Sequence, residues 1–152
     1  MFCHFYQLTL PLRVRIRLRQ RMKTLTPQIN LIAAWSGIVL GFLSGMVQGM
    51  FFHRENWLGG YASLKRRMYR LGHISFFGLG AVNLFFWLTA TSSNLSSGIA
   101  SIVSWAFIVG AVTMPLCCVV MAHFPKLHLI FAVPVISLIA GGALTLMEVI
   151  KL

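Results

Sequence analysis

Four of the five histidines lie at the edges of long apolar runs and are the residues best suited to bind a metal: His53, His73, His123 and His128. Neutral imidazole is a common ligand of haem iron, zinc and copper. His73 lies about one turn inside an apolar run, which favours it as a ligand of haem b, with His123 or His128 as the second ligand. Cys117 and Cys118 with His123 form an alternative copper or zinc set.

The spacing of these residues matches no strong metal motif. The chain contains no CxxC, no H-E-x-x-H and no two histidines at i and i+4. Histidine also occurs at membrane boundaries, because its ring has an apolar body and a polar tip. We therefore predict no resident cofactor, with haem b or another metal at His73, His123 and His128 as the alternative.

The two acidic residues, Glu55 and Glu148, cannot form a paired-carboxylate site, because they fall at opposite ends of the predicted helices. Lys151 follows Glu148 at i+3 and is predicted to be its ion-pair partner. No nucleophile with a neighbouring base can be named elsewhere. The chain is therefore predicted not to be an enzyme.

Four apolar runs are long enough to cross a bilayer: about 29–52, 71–90, 98–121 and 127–149. A spanning helix needs roughly 20 mostly apolar residues. Lipid gives backbone groups no hydrogen-bond partner, so the runs must be helices or strands of a closed barrel. Barrel strands alternate apolar and polar residues, and Ile74–Leu88 does not. Because the links at 91–97 and 122–126 are short, neighbouring helices must be antiparallel.

The sequence thus predicts an all-α integral membrane protein built as an antiparallel bundle of four transmembrane helices. Its composition agrees, since 58% of the 152 residues are apolar and 10% are charged. A soluble domain is about 25% charged and about 45–50% apolar, so a soluble globular or disordered protein is excluded. The net charge of +11 comes from basic residues placed between apolar runs. It indicates contact with anionic lipid headgroups and no nucleic-acid partner.

The charge pattern divides the chain into a basic N-terminal arm, residues 1–28, and a membrane domain, residues 29–152. The arm carries six basic residues, namely Arg13, Arg15, Arg17, Arg19, Arg21 and Lys23. The first loop, residues 53–70, carries five on the other side of the first helix, namely Arg54, Lys65, Arg66, Arg67 and Arg70. With Lys151 added to the arm's side and Lys126 to the loop's side, the positive-inside rule chooses no orientation.

A start of translation at Met22 would remove this tie. Only Lys23 and Lys151 would then oppose the loop and Lys126, which predicts a bacterial inner-membrane protein with the 53–70 loop in the cytoplasm. The other interpretation takes the arm as native. Pro11–Arg21 then forms a basic strand or a segment bound to anionic headgroups, and the sequence leaves both interpretations open.

A stripe of small residues follows the first helix at every fourth position: Ala33, Gly37, Gly41, Gly45 and Gly49. Four-residue spacing keeps them on one helix face. Small residues let helices approach closely in lipid, where there is little hydrophobic drive for association. We predict that the second or fourth helix of the same chain packs there, with another subunit as the alternative.

The loop between the first two helices is predicted to contact lipid headgroups through Arg54, Lys65, Arg66, Arg67 and Arg70. Ser63 is placed to cap a helical turn that leads into the second helix. The alternative is a docking surface for an acidic partner or a phosphate-bearing molecule. Within the second helix, Asn83 is predicted to hydrogen-bond a neighbouring helix.

These features favour a small non-catalytic membrane protein, an accessory or structural subunit that packs against other membrane subunits or itself. The alternatives are a haem- or metal-binding bundle in electron transfer and an oligomeric small transporter or channel. The stretch Arg-Leu-Gly-His-Ile at residues 70–74 resembles, over those residues alone, the haem-carrying membrane anchors of respiratory enzymes. This match covers a handful of residues and lacks a second histidine deep in a helix, so nothing is carried over from it.

Overall fold

The computed structural model describes residues 12–93 and 97–151, with side chains described in 28–93 and 98–151. Long helices hold most of these residues: α1 Leu12–Phe51, α2 Leu64–Ser92, α3 Ser97–His123 and α4 Ala132–Ile150. Two short 3-10 turns, Trp57–Gly59 and Pro125–Phe131, precede α2 and α4. No strand occurs within the described ranges, and the all-α class is confirmed.

Four segments are long and apolar enough to cross a membrane: Gln28–Phe51, Leu64–Ser92, Gly98–His123 and Pro125–Ile150. The four predicted spans are therefore present, with different ends. The second helix begins before the predicted 71, because the Ser63 hydroxyl accepts a hydrogen bond from the Arg66 backbone N–H at 3.2 Å and caps it. The last α-helix begins after the predicted 127, because Leu127 (φ −88°, ψ 30°) leaves α-helical geometry.

The basic arm differs from one of its two predicted forms. Because α1 begins at Leu12, a strand over Pro11–Arg21 is wrong from Leu12 onward. A helix pairs its backbone N–H and C=O groups internally, whereas a lone strand would leave them unpaired. Residues 1–11 and the side chains of residues 12–27 lie outside the described parts of the chain, as do the contacts that would test a start at Met22.

The contacts between α1 and α2 show that these two helices run in opposite directions. A Cβ at Gly37 would lie 2.9 Å from the Phe76 carbonyl oxygen, and a Cβ at Gly45 would lie 2.7 Å from the His73 ring. Just beyond the end of α1, the Phe52 carbonyl oxygen accepts a hydrogen bond from the Arg66 guanidinium. Numbers rise in α1 as they fall in α2, so these two helices are antiparallel neighbours.

The interior lies mainly along α3, which contacts the other three helices. Phe86 of α2 and Phe107 of α3 form an edge-to-face pair with ring centroids 5.4 Å apart, and Val103 completes a buried cluster with them. Leu138 and Leu144 of α4 cover this cluster. The outer surface is also apolar: Phe42 is 68% exposed and Leu129 is 76% exposed.

Candidate functional site

A cavity of about 510 Å³ lies between α1, α2 and α3. Its volume is within the range of about 300–1,000 Å³ that is typical of small-molecule sites. The small residues Ala33, Gly37 and Gly80 form part of its wall. Larger side chains at these three positions would fill the space that forms the cavity.

Polar side chains gather at the end of this cavity nearer the 53–70 loop. Ser44 and Gln48 are one helical turn apart on α1, and Tyr69 and His73 are one turn apart on α2. Spacing of i and i+4 places each pair on one helix face, and the antiparallel packing of α1 and α2 brings the two pairs together. We define Ser44, Gln48, Tyr69 and His73 as the polar end of the cavity.

The polar end is joined by hydrogen bonds between the helices. The Ser44 hydroxyl donates to the Gly41 carbonyl oxygen at 3.0 Å and lies 2.9 Å from His73 Nδ1. The Gln48 amide nitrogen donates to the Tyr69 carbonyl oxygen at 3.2 Å. These bonds fix the orientation of His73 and Gln48 at the cavity.

The predicted metal residues are placed differently from one another. His73 lines the cavity, while His123 is exposed and its Nε2 lies 3.2 Å from the Tyr69 hydroxyl. His128 is exposed in the 3-10 turn that precedes α4. Within 28–93 and 98–151, no three His, Cys, Asp or Glu side chains are grouped as metal ligands would be. The structure thus does not assemble Cys117, Cys118 and His123 into one set.

The small-residue stripe of α1 meets α2 over most of its length. Added Cβ atoms at Gly37, Gly41 and Gly45 would contact Phe76, Phe77 and His73, respectively, at 2.7–2.9 Å. Ala33 lies at the cavity wall, and Gly49 has open space beside it. Four of the five predicted positions therefore face α2 or the cavity, and the fifth faces outward.

The predicted headgroup residues fall into two groups. Arg54, Lys65 and Arg67 are exposed and Arg70 is half-buried, with its guanidinium 5.0 Å from the centre of the Tyr61 ring. Arg66 is only 3% exposed, so its predicted contact with lipid headgroups is corrected. The Arg66 guanidinium donates to the Phe52 carbonyl oxygen at 2.9 Å instead.

Three aromatic rings surround the Arg66 guanidinium. They belong to Phe52, Trp57 and Tyr61, with centroids 5.2, 5.7 and 5.0 Å away. Cations within about 6 Å of a ring centroid are attracted to the ring face. None of these three rings was singled out from the sequence as a partner of Arg66, although their position just before an arginine-rich helix start was a usable signal.

A second polar group lies nearer the 91–97 link. The amide nitrogen of Asn30 (α1) donates to the Asn83 side-chain oxygen (α2) at 2.7 Å, which confirms the predicted interhelical bond of Asn83. The Ser104 hydroxyl (α3) donates to the Asn30 side-chain oxygen. Asn30 and Ser104 were not singled out from the sequence, although a buried asparagine in an apolar helix needs such a partner.

Comparison of the chain with protein-family models, curated proteins and solved structures finds no match. Function is therefore inferred from geometry alone. The described part of the chain offers three features for that purpose: the buried group of Asn30, Asn83 and Ser104, the basic loop, and the cavity with its polar end.

Proposed function

We propose that this chain is a small, non-catalytic integral membrane protein with an antiparallel bundle of four transmembrane helices, acting as an accessory or structural subunit. One observation carries the proposal: buried polar side chains bond to each other while large apolar side chains face outward. Asn30, Asn83 and Ser104 show the first property, and Phe42 and Leu129 show the second. Such a surface is stable in lipid and costly in water.

The basic loop supports a position at a membrane surface. Arg54, Lys65 and Arg67 are exposed beside the ends of α1 and α2. Each basic residue near an anionic leaflet contributes about 1 kcal/mol to binding. We infer that these three contact anionic headgroups, on the cytoplasmic side of a bacterial inner membrane.

Open small residues on the outer surface support a subunit role. Gly78 on α2 and Gly142 on α4 have no atom within 4 Å of an added Cβ, and both are exposed. Small residues on a lipid-facing surface let another helix approach closely. Another membrane subunit or a second copy of this chain is the partner that fits such a surface.

The mass of the particle extracted from its native membrane tests the subunit role. We expect polymer nanodiscs containing the tagged chain to hold additional protein mass, measured by native mass spectrometry, either as a second copy or as a defined partner. Gly142→Leu should release that mass, whereas Val133→Leu, on the same helix, should not. A particle holding one chain and lipid alone contradicts the subunit role.

The haem alternative is tested on the same preparation. Among the histidines in 28–93 and 98–151, His73 is the one that lines the cavity, so haem ligation predicts a Soret band that disappears in His73→Ala. A colourless, metal-free preparation contradicts both the haem and the copper forms of this alternative. It leaves the structural proposal intact.

A further inference from the structure

We propose that the cavity between α1, α2 and α3 binds a single-chain lipid whose head carries a hydroxyl group. The head would lie at the polar end and the chain along the apolar wall. This inference goes beyond the structural role, because it assigns a specific ligand class to the interior of the bundle. Three features of the cavity support it: its shape, its opening and its hydrogen-bonding capacity.

The shape of the cavity suits one acyl chain. Its lining extends along α1 from Gln48 to Ala33, and fifteen residues of helix rise about 22 Å. One leaflet contributes about 15 Å of hydrocarbon. The cavity is therefore long enough for a small head and one chain lying along the helices.

The opening of the cavity faces the surroundings of the bundle. Leu40 of α1 and Val112 and Leu116 of α3 line it and are 46%, 56% and 58% exposed, respectively. Apolar side chains at such an edge do not obstruct the lateral entry of a hydrocarbon chain. A lipid in the membrane can thus enter without crossing the aqueous phase.

The hydrogen-bond donors and acceptors at the polar end indicate what kind of lipid head would fit there. The single Ser44 hydroxyl hydrogen is donated to the Gly41 carbonyl oxygen. We assign the 2.9 Å contact between Ser44 Oγ and His73 Nδ1 to donation by His73 Nδ1–H, the role that this nitrogen has when the Ser44 hydroxyl bonds the Gly41 oxygen. In this assignment His73 Nε2 carries an acceptor lone pair that points to the ligand's head.

Gln48 adds a second acceptor. Its amide nitrogen is used on the Tyr69 carbonyl oxygen, which leaves its side-chain oxygen as an acceptor. Within residues 28–93 and 98–151, neither this oxygen nor His73 Nε2 has a hydrogen-bond partner. Two acceptors at one end of an apolar cavity match a head that donates hydrogen bonds, and a hydroxyl group is the simplest such head.

Photolabelling with matched lipids tests this proposal. The full chain is placed in phosphatidylcholine nanodiscs, since that headgroup has no hydroxyl donor, and is exposed to a 1-monoacylglycerol with a diazirine in its chain. The control probe is the methyl ester with the same chain. We expect the monoacylglycerol to label the cavity wall around Leu40 and Val112 more strongly than the methyl ester does. The difference should be about five-fold for each hydrogen bond that the head makes.

Variants separate the head contact from the space for the chain. His73→Phe and Gln48→Leu should each lower labelling about five-fold, and Ala111→Phe should lower it by filling the cavity. Val133→Phe on the exposed face of α4 should have no effect, and circular dichroism should show unchanged helicity in all four. Excess dodecanol or dodecylhydroquinone should compete, and the stronger competitor distinguishes an aliphatic from an aromatic hydroxyl.

Three results would overturn the proposal. One is equal labelling by the two probes. Another is labelling spread over outward residues such as Ile136 with no enrichment at the cavity. The third is unchanged labelling in correctly folded His73→Phe and Gln48→Leu.

Discussion

At Asn83, one amide side chain joins two helices and reaches a third through its partner. Its oxygen accepts from Asn30 at 2.7 Å, and its nitrogen donates to the Leu79 carbonyl oxygen at 2.9 Å. Asn30 in turn accepts from Ser104. Both asparagines are fully buried, so removing either one leaves the other without its amide partner.

Asn83→Ala should therefore lower the free energy of unfolding by about 1–2 kcal/mol, the upper range for hydrogen bonds between membrane helices. Thermal denaturation in phosphatidylcholine bicelles measures the change. Asn56→Ala, at an exposed loop position, is the matched control. Because both asparagines share one bond, Asn30→Ala combined with Asn83→Ala should cost less than the sum of the single changes, and strict additivity would contradict the network.

Arg66 illustrates a charge used inside the protein. Its guanidinium binds the Phe52 carbonyl oxygen near the end of α1 and lies against three rings of the loop. Arg66→Ala removes all of these contacts and should loosen the 53–63 segment. We expect chymotrypsin to cleave at Trp57 and Tyr61 several-fold faster than in the unchanged chain.

Arg67→Ala controls for the loss of a positive charge, since Arg67 is adjacent but exposed. Its cleavage rate should match that of the unchanged chain. Equal acceleration in both variants would show that charge, and not the aromatic contacts of Arg66, holds the loop.

At the scale of helices, the backbones of α1 and α2 come close to each other at two glycines, Gly37 and Gly80. A Cβ at Gly37 would lie 2.9 Å from the Phe76 carbonyl oxygen and 3.3 Å from the Gly80 Cα. Both are backbone atoms and cannot rotate away. By contrast, Gly49 belongs to the same stripe and has open space beside it.

Gly37→Ala should therefore force the helices apart and destabilise the bundle by on the order of 1–3 kcal/mol, as overpacking does. Gly49→Ala should be neutral or stabilising by up to about 1 kcal/mol, because alanine has the higher helix propensity. Unfolding of both variants in the same bicelles compares them directly. If the two changes have the same effect, the stripe does not determine this helix contact.

Helix number and type were predictable because each span is a long uninterrupted apolar run, and neither loops nor barrel strands have that pattern. The start of α2 was predicted only in part. Ser63 was recognised as a helix cap, but the basic residues that follow it were placed outside the second span. The burial of Arg66 was not predictable, because it depends on three rings meeting in space. The cavity was not predictable for the same reason: it arises from the relative positions of α1, α2 and α3.

For the molecule as a whole, charge and hydrophobicity together determine how the bundle lies in a membrane. The outer surface is apolar around the helices, and the exposed basic side chains Arg54, Lys65 and Arg67 gather at one end. That end carries Lys126 as well. If translation starts at Met22, these residues are opposed only by Lys23 and Lys151.

A chain starting at Met22 should therefore insert with the 53–70 loop in the cytoplasm. Ala62→Cys, exposed in that loop, should react with a membrane-impermeant maleimide only after cells are lysed, and Ile150→Cys should react in intact cells. The unsubstituted Met22 chain controls for background, because it lacks Cys3 and its Cys117 and Cys118 are buried.

Neutralising Arg54, Lys65 and Arg67 to glutamine leaves Arg66, Arg70 and Lys126 against Lys23 and Lys151, so both orientations should then appear. Labelling of Ala62→Cys in intact cells, before that neutralisation, would show that the loop's charge does not set the orientation.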